Sequence, residues 1–128
     1  MQGALFHVEQ TSFKALLARI PQVGTLRWIG LRPRYRAPMA EVQQVLAHQD
    51  GGLHGDHARP GKRAVTLIQA EHLQAVAQLL GRDALAPQLL RRNLVIAGIN
   101  LIALKRATFA IGPVVFEGSG TCDPCSRM

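Results

Sequence analysis

The only two cysteines of the chain stand three positions apart in Cys122-Asp-Pro-Cys125, just after the turn-forming Gly118-Ser-Gly. Two thiols at that spacing admit four readings. A structural zinc site needs four ligands; no second CxxC exists, so His54 and His57 would have to complete it. A thioredoxin-like redox pair belongs at the start of a helix inside a βαβ pattern, whereas this pair follows a β-rich stretch. A purely structural cysteine sits among apolar residues, but Gly, Ser, Asp and Pro flank these two. The reading preferred here is a reactive thiolate, its pKa lowered by cations such as Arg91, Arg92 or Arg127. Such a thiolate acts as sulfur carrier, nucleophile or single metal ligand.

Three further stretches carry candidate chemistry. Arg91-Arg92-Asn93 sets two guanidinium groups and an amide side by side, a donor set suited to carboxylate or phosphate oxygens. Residues 51–57 place His54, Asp56 and His57 among three glycines, and Lys62 and Arg63 follow closely. Glycines there permit close backbone approach to a ligand. The three side chains could ligate a metal, although loop histidines are more commonly plain surface residues. Arg32, Arg34 and Arg36 alternate, which in an extended chain sends all three to one side as an anion-attracting arm. A solvated loop is the reading favoured for that stretch.

Composition limits what these residues can serve. With 128 residues, 48% hydrophobic and 18% charged, the chain is long enough for one domain with a core. No apolar run is long enough for a transmembrane helix, and the first residues lack the pattern of a signal peptide. The expectation is a cytoplasmic protein whose thiols stay reduced. The net charge of +7 rests on 15 basic residues, 12 of them arginine, against 8 acidic ones. That bias favours specific anion contacts. Aromatic content of 5% leaves few platforms for stacking bases, so nucleic-acid binding is not expected.

The elements that must position these groups are short. Apolar spacing predicts a helix over residues 13–20 behind Thr11 or Ser12, as part of an N-terminal extension over 1–20. Residues 23–31, 64–68, 94–97, 108–111 and 114–117 read as strands, and 41–48 as a half-buried strand. Residues 69–80 have helical spacing and end at Gly81, with His72 on the surface or boundary. Pro87 opens a short turn, and residues 101–104 fit one helical turn. The sum is a mainly β, barrel-like or sandwich domain over residues 21–128, with one or two helices.

Several pieces together resemble the MOSC domain, the module named for the C-terminal part of molybdenum cofactor sulfurases, in its small stand-alone bacterial form. They are WIGLRP (28–33), GLHGDH (52–57), KRAVTLIQAEHL (62–73), RRNLVIAGINLIALK (91–105), IGPVVFEGSG (111–120) and CDPCSRM (122–128). The resemblance spans about residues 23–128. It implies a strongly bent β fold closed like a barrel, and a cysteine at Cys122 that carries a persulfide or ligates the molybdenum of a molybdopterin cofactor. Cys125 is expected as a resolving or supporting thiol. Arg91, Arg92 and Asn93 are expected in the anion-binding site, with Asp56 and Arg63 in matching motifs. A pyridoxal-phosphate-dependent cysteine desulfurase is the implied sulfur donor, this chain holding no pyridoxal phosphate itself. Relatives using the domain as a reductase leave two enzymatic readings open, a sulfurtransferase-type carrier or a molybdenum-dependent reductase module. The family is expected to continue past CDPCSRM with a closing strand, so the domain reads as C-terminally shortened, with a sheet edge that residues 1–20 could cover. From another class, the alternative is a non-catalytic module that binds a small anion or a protein, its cysteines idle.

Overall fold

The computed structural model describes residues 23–49, 51–57, 61 and 63–120. The expected helix over 13–20, Lys62, Cys122 and Cys125 lie outside the described residues.

The architecture is mainly β with a single helix among the described residues. In chain order the first strands are β1 (Thr25–Leu31), β2 (Ala40–Val42), β3 (Ala47–His48), β4 (Gly52–Leu53) and β5 (Leu67–Gln69). Helix α1 (Ala70–Leu79), β6 (Leu94–Ala97), β7 (Thr108–Ile111) and β8 (Val114–Glu117) follow. One four-stranded sheet has the order β2-β1-β6-β5, while β3-β4 and β7-β8 form separate two-stranded hairpins. No sheet closes into a barrel among these residues.

β6 is the strand around which the sheet is built. All four of its residues, Leu-Val-Ile-Ala, are buried, as expected for a strand covered on both faces. Alternation sends Leu94 and Ile96 into a cluster with Ile29 and Leu53, and Val95 and Ala97 to the opposite face. Helix α1 packs against β5 and β6, burying Leu73 and Ala77. A side chain the size of Leu73, Leu94 or Ile96 contributes about 1.5–3 kcal/mol on full burial. β6 pairs antiparallel with β1 and parallel with β5. The helix supplies the crossover that a parallel pair requires. The β1–β6 ladder shifts register between Leu26 and Trp28.

The ends of α1 follow from local chemistry. Glu71 lies in the first turn, where a carboxylate complements the helix dipole, and its Oε1 accepts the Gly98 N–H at 2.7 Å. At the other end Gly81 takes φ +69. Its N–H donates to Gln78 and that of Arg82 to Ala77, the paired closure that a left-handed residue after a helix allows.

Two expected strands take other forms. Residues 41–48 split into β2 and β3 around an irregular 43–46, and only β2 joins the main sheet. The strand expected from residue 64 begins at Leu67, because Thr66 turns its polar groups into a buried hydrogen-bond network. The short turn after Pro87 and the one over Leu101–Leu104 are both 3-10 helices. His72 is exposed on α1, as the spacing implies.

Candidate functional site

Where β1 ends and β6 begins, the chain buries polar groups instead of apolar ones. Asn93, immediately before β6, is fully buried. Its Nδ2 donates to the Gly30 carbonyl at 3.0 Å and to Asp56 Oδ1 at 3.1 Å. Its Oδ1 accepts from Arg32 Nη2 at 3.0 Å, from the Thr66 N–H at 3.0 Å and from Thr66 Oγ1 at 3.2 Å. The main chain continues the pattern, for Gly30 N–H donates to the Asn93 carbonyl at 2.7 Å. One amide thus joins β1, the segment before β5, and the 52–57 loop.

Asp56 completes the node. Its carboxylate accepts from the Arg32 backbone N–H at 2.7 Å, Arg32 Nε at 3.1 Å and Arg32 Nη2 at 2.9 Å. The Asp56 side chain is 0% exposed and that of Arg32 14%. A buried ion pair is sustained only when further hydrogen bonds offset the lost hydration, and here the fork of donors and the Asn93 amide do so. His57 ties the same loop down, its N–H and its Nδ1 each meeting the Arg32 carbonyl at 2.8 Å. Gly52 allows the preceding hairpin its path: φ is +73, and a Cβ there would lie 3.0 Å from the Ala64 carbonyl oxygen.

Arg91 sits two residues before Asn93 with a left-handed backbone, φ 51, closing the Pro87–Leu90 turn. That conformation costs a non-glycine residue about 1–2 kcal/mol. Its Nη1 donates to the Ala37 carbonyl at 2.6 Å, tying the 91–93 turn to the 32–37 segment. Arg92 is half-buried and reaches the Leu90 carbonyl at 3.5 Å. Arg63 is exposed.

The structure therefore brings Asp56 and Asn93 together and hangs the Arg91-Arg92 pair from the same node. Both amide hydrogens and the oxygen of Asn93 are already committed, so a ligand could use them only by breaking a buried bond. The 32–36 stretch is not the extended arm but a turn. Arg36 has φ 58 and the Ala37 N–H bonds back to the Arg34 carbonyl, so the chain turns. Arg32 faces inward while Arg34 and Arg36 are exposed. Sequence reading missed Arg32 and Thr66 as partners of the node. The available signal was Asp56 itself, a carboxylate in a glycine loop with arginines within the same domain. His54 and His57 are exposed, and among the described residues no group of three or more His, Cys, Asp or Glu is placed to hold a metal, in keeping with the favoured reading of surface loop histidines.

A family model described as the MOSC domain matches residues 50–128. The chain belongs to the MOSC domain family. The matched span contains Asp56, Arg63, the 91–93 turn and both cysteines, while Arg32 stands before it. Comparison with curated proteins and with solved structures gave no match. Membership associates this MOSC domain with molybdenum-cofactor sulfurase-type proteins. No helix among the described residues is long and apolar enough to cross a membrane.

Proposed function

We propose that this MOSC domain handles sulfur through Cys122, with the Arg91-Arg92 turn as its cationic, anion-facing partner. The observation that carries the reading is the half-buried arginine pair, hung by Asn93 and Asp56 from the centre of the sheet, in a chain whose family match includes Cys122. Arg91 closes the Pro87–Leu90 turn in a left-handed conformation, and its guanidinium carries donors beyond the Nη1 bond to the Ala37 carbonyl.

The transfer balances without an added oxidant. The Cys122 thiolate attacks the terminal sulfur of a persulfide on a pyridoxal-phosphate-dependent cysteine desulfurase. A new S–S bond forms on Cys122, the donor S–S bond breaks, and the donor leaves as thiolate. Attack by Cys125 on the Cys122 sulfur then expels hydrosulfide and leaves a Cys122–Cys125 disulfide. Cytoplasmic placement suits both steps, because the thiols must start reduced.

The second reading has Cys122 ligating molybdenum. The donor chemistry fits in part: Arg91 and Arg92, with Arg63, would hold the anionic pterin phosphate, whereas Asn93 and Asp56 are spent on positioning. When bound, the cofactor supplies redox chemistry at molybdenum, as in a reductase module.

Both readings require a thiolate at neutral pH. The rate of iodoacetamide alkylation at Cys122 plotted against pH should have its midpoint well below the ordinary thiol value of about 8.5. A midpoint at the ordinary value would overturn both and leave a binding module with idle cysteines.

A further inference from the structure

The β3–β4 hairpin carries a pair of imidazoles that the sulfur-handling site does not use. Ala47 pairs with Leu53 and His48 with Gly52, and the His54 N–H donates to the Leu46 carbonyl at 2.8 Å, extending the ladder by one residue. His48 and His54 are thus diagonal neighbours on one face, within reach for long side chains. Leu53, on the opposite face, is buried in the core, so register fixes both histidines toward solvent, where they are exposed. His48 Nε2 and His54 Nδ1 stand 3.2 Å apart, with ring centroids at 5.3 Å and an interplanar angle of 65°.

We propose that His48 and His54 form a two-imidazole site for a borderline divalent transition-metal cation, zinc or nickel. Two nitrogens bound tetrahedrally at about 2.0–2.1 Å from one ion lie about 3.3 Å apart, which the existing separation already meets. Imidazole nitrogens are the ligands such ions prefer. An exposed hydrogen bond between two neutral rings gains little over bonds to water, so the pair holds this geometry through strand register. Binding requires both facing nitrogens to present lone pairs, with the ring protons on His48 Nδ1 and His54 Nε2. Neighbouring candidates are already engaged: Asp56 is paired to Arg32, and His57 Nδ1 meets the Arg32 carbonyl. Water fills the remaining positions, which makes the site exchangeable and unlike a closed structural zinc centre. It sits on the hairpin that leads directly into the Asp56 loop, so an ion there braces one edge of the buried node.

Titration calorimetry with zinc chloride tests this in a Cys122→Ser/Cys125→Ser chain, where thiolates do not compete. One saturable equivalent is expected. His48→Ala or His54→Ala should each weaken it by about tenfold or more, the least that loss of a direct ligand costs, while His72→Ala should leave it intact. No saturable binding, or unchanged affinity in His54→Ala, overturns the site. In the same doubly substituted chain, zinc should shift the ring nitrogen resonances of His48 and His54; rings that stay unmoved overturn it equally.

Discussion

Asn93 spends every polar atom of its side chain on four residues in three separate segments, and a truncation there would leave several buried groups without a bond. Each unsatisfied buried group costs about 1–3 kcal/mol. Asn93→Ala should therefore lower the urea-derived unfolding free energy by more than about 3 kcal/mol, and a loss below about 1 kcal/mol would contradict the node. Arg32 and Asp56 should be strongly coupled. In a double-mutant cycle of Arg32→Met and Asp56→Asn, the pair should show an interaction energy of about 2 kcal/mol, within the range for contacting groups. Arg91→Gly separates position from chemistry. Removing left-handed strain and losing one hydrogen bond nearly cancel, each about 1 kcal/mol, so the thermal midpoint should hold while reactivity at Cys122 falls. Asp56 and Asn93 were legible in the sequence as candidates, one as an acid in a glycine loop and the other as an amide beside two arginines, but as ligand-binding groups and not as the buried node. Their partner Arg32 was not, because an arginine flanked by proline and two further arginines reads as part of a solvated loop, and nothing local points it to Asp56 across 24 residues.

At the scale of elements, legibility followed local periodicity. The helix, β1, β6 and the β7–β8 hairpin have spacings and turn residues that tertiary contacts leave in place. The segments over 41–48 and 64–68 have strand composition, but one is broken by irregular 43–46 and the other by Thr66, whose carbonyl accepts from the Asn93 and Leu94 N–H groups. No local pattern announces a pairing across that many residues. Helix α1 carries a pH dependence of known sign. Glu71 is held below the ordinary carboxylate range, first by the Gly98 N–H, then by its own backbone N–H, with smaller help from the charges of Arg27 and His72. A depressed folded-state pKa gives stability that is present above the unfolded value and lost as pH falls through the folded one. Glu71→Gln should flatten that part of the acid limb in urea melts; an unchanged limb would contradict the assignment. Gly118 is fixed by space, since a Cβ there would run into the Leu104 backbone carbonyl between two hydrogen bonds to 106 and 107. Gly118→Ala should cost more than about 1 kcal/mol and be visible as a lowered thermal midpoint.

For the whole molecule, the open sheet β2-β1-β6-β5 serves as a rigid base from which a basic turn and a glycine loop project at one end. A charge of +7, mostly arginine, makes that surface attractive to small anions. Family membership supplies the context of molybdenum and sulfur, and the fold explains how two arginines are held without being consumed by the core. The central claim is that Cys122 accepts the cargo. Intact mass spectrometry after incubation with a cysteine desulfurase and cysteine tests it most directly. In a Cys125→Ser chain, where no second thiol can expel the added sulfur, the account predicts a gain of one sulfur, about 32 Da, removed by dithiothreitol and absent once Cys122→Ser is added. An unchanged mass with a free, alkylatable Cys122, or the same gain in Cys122→Ser, would contradict it.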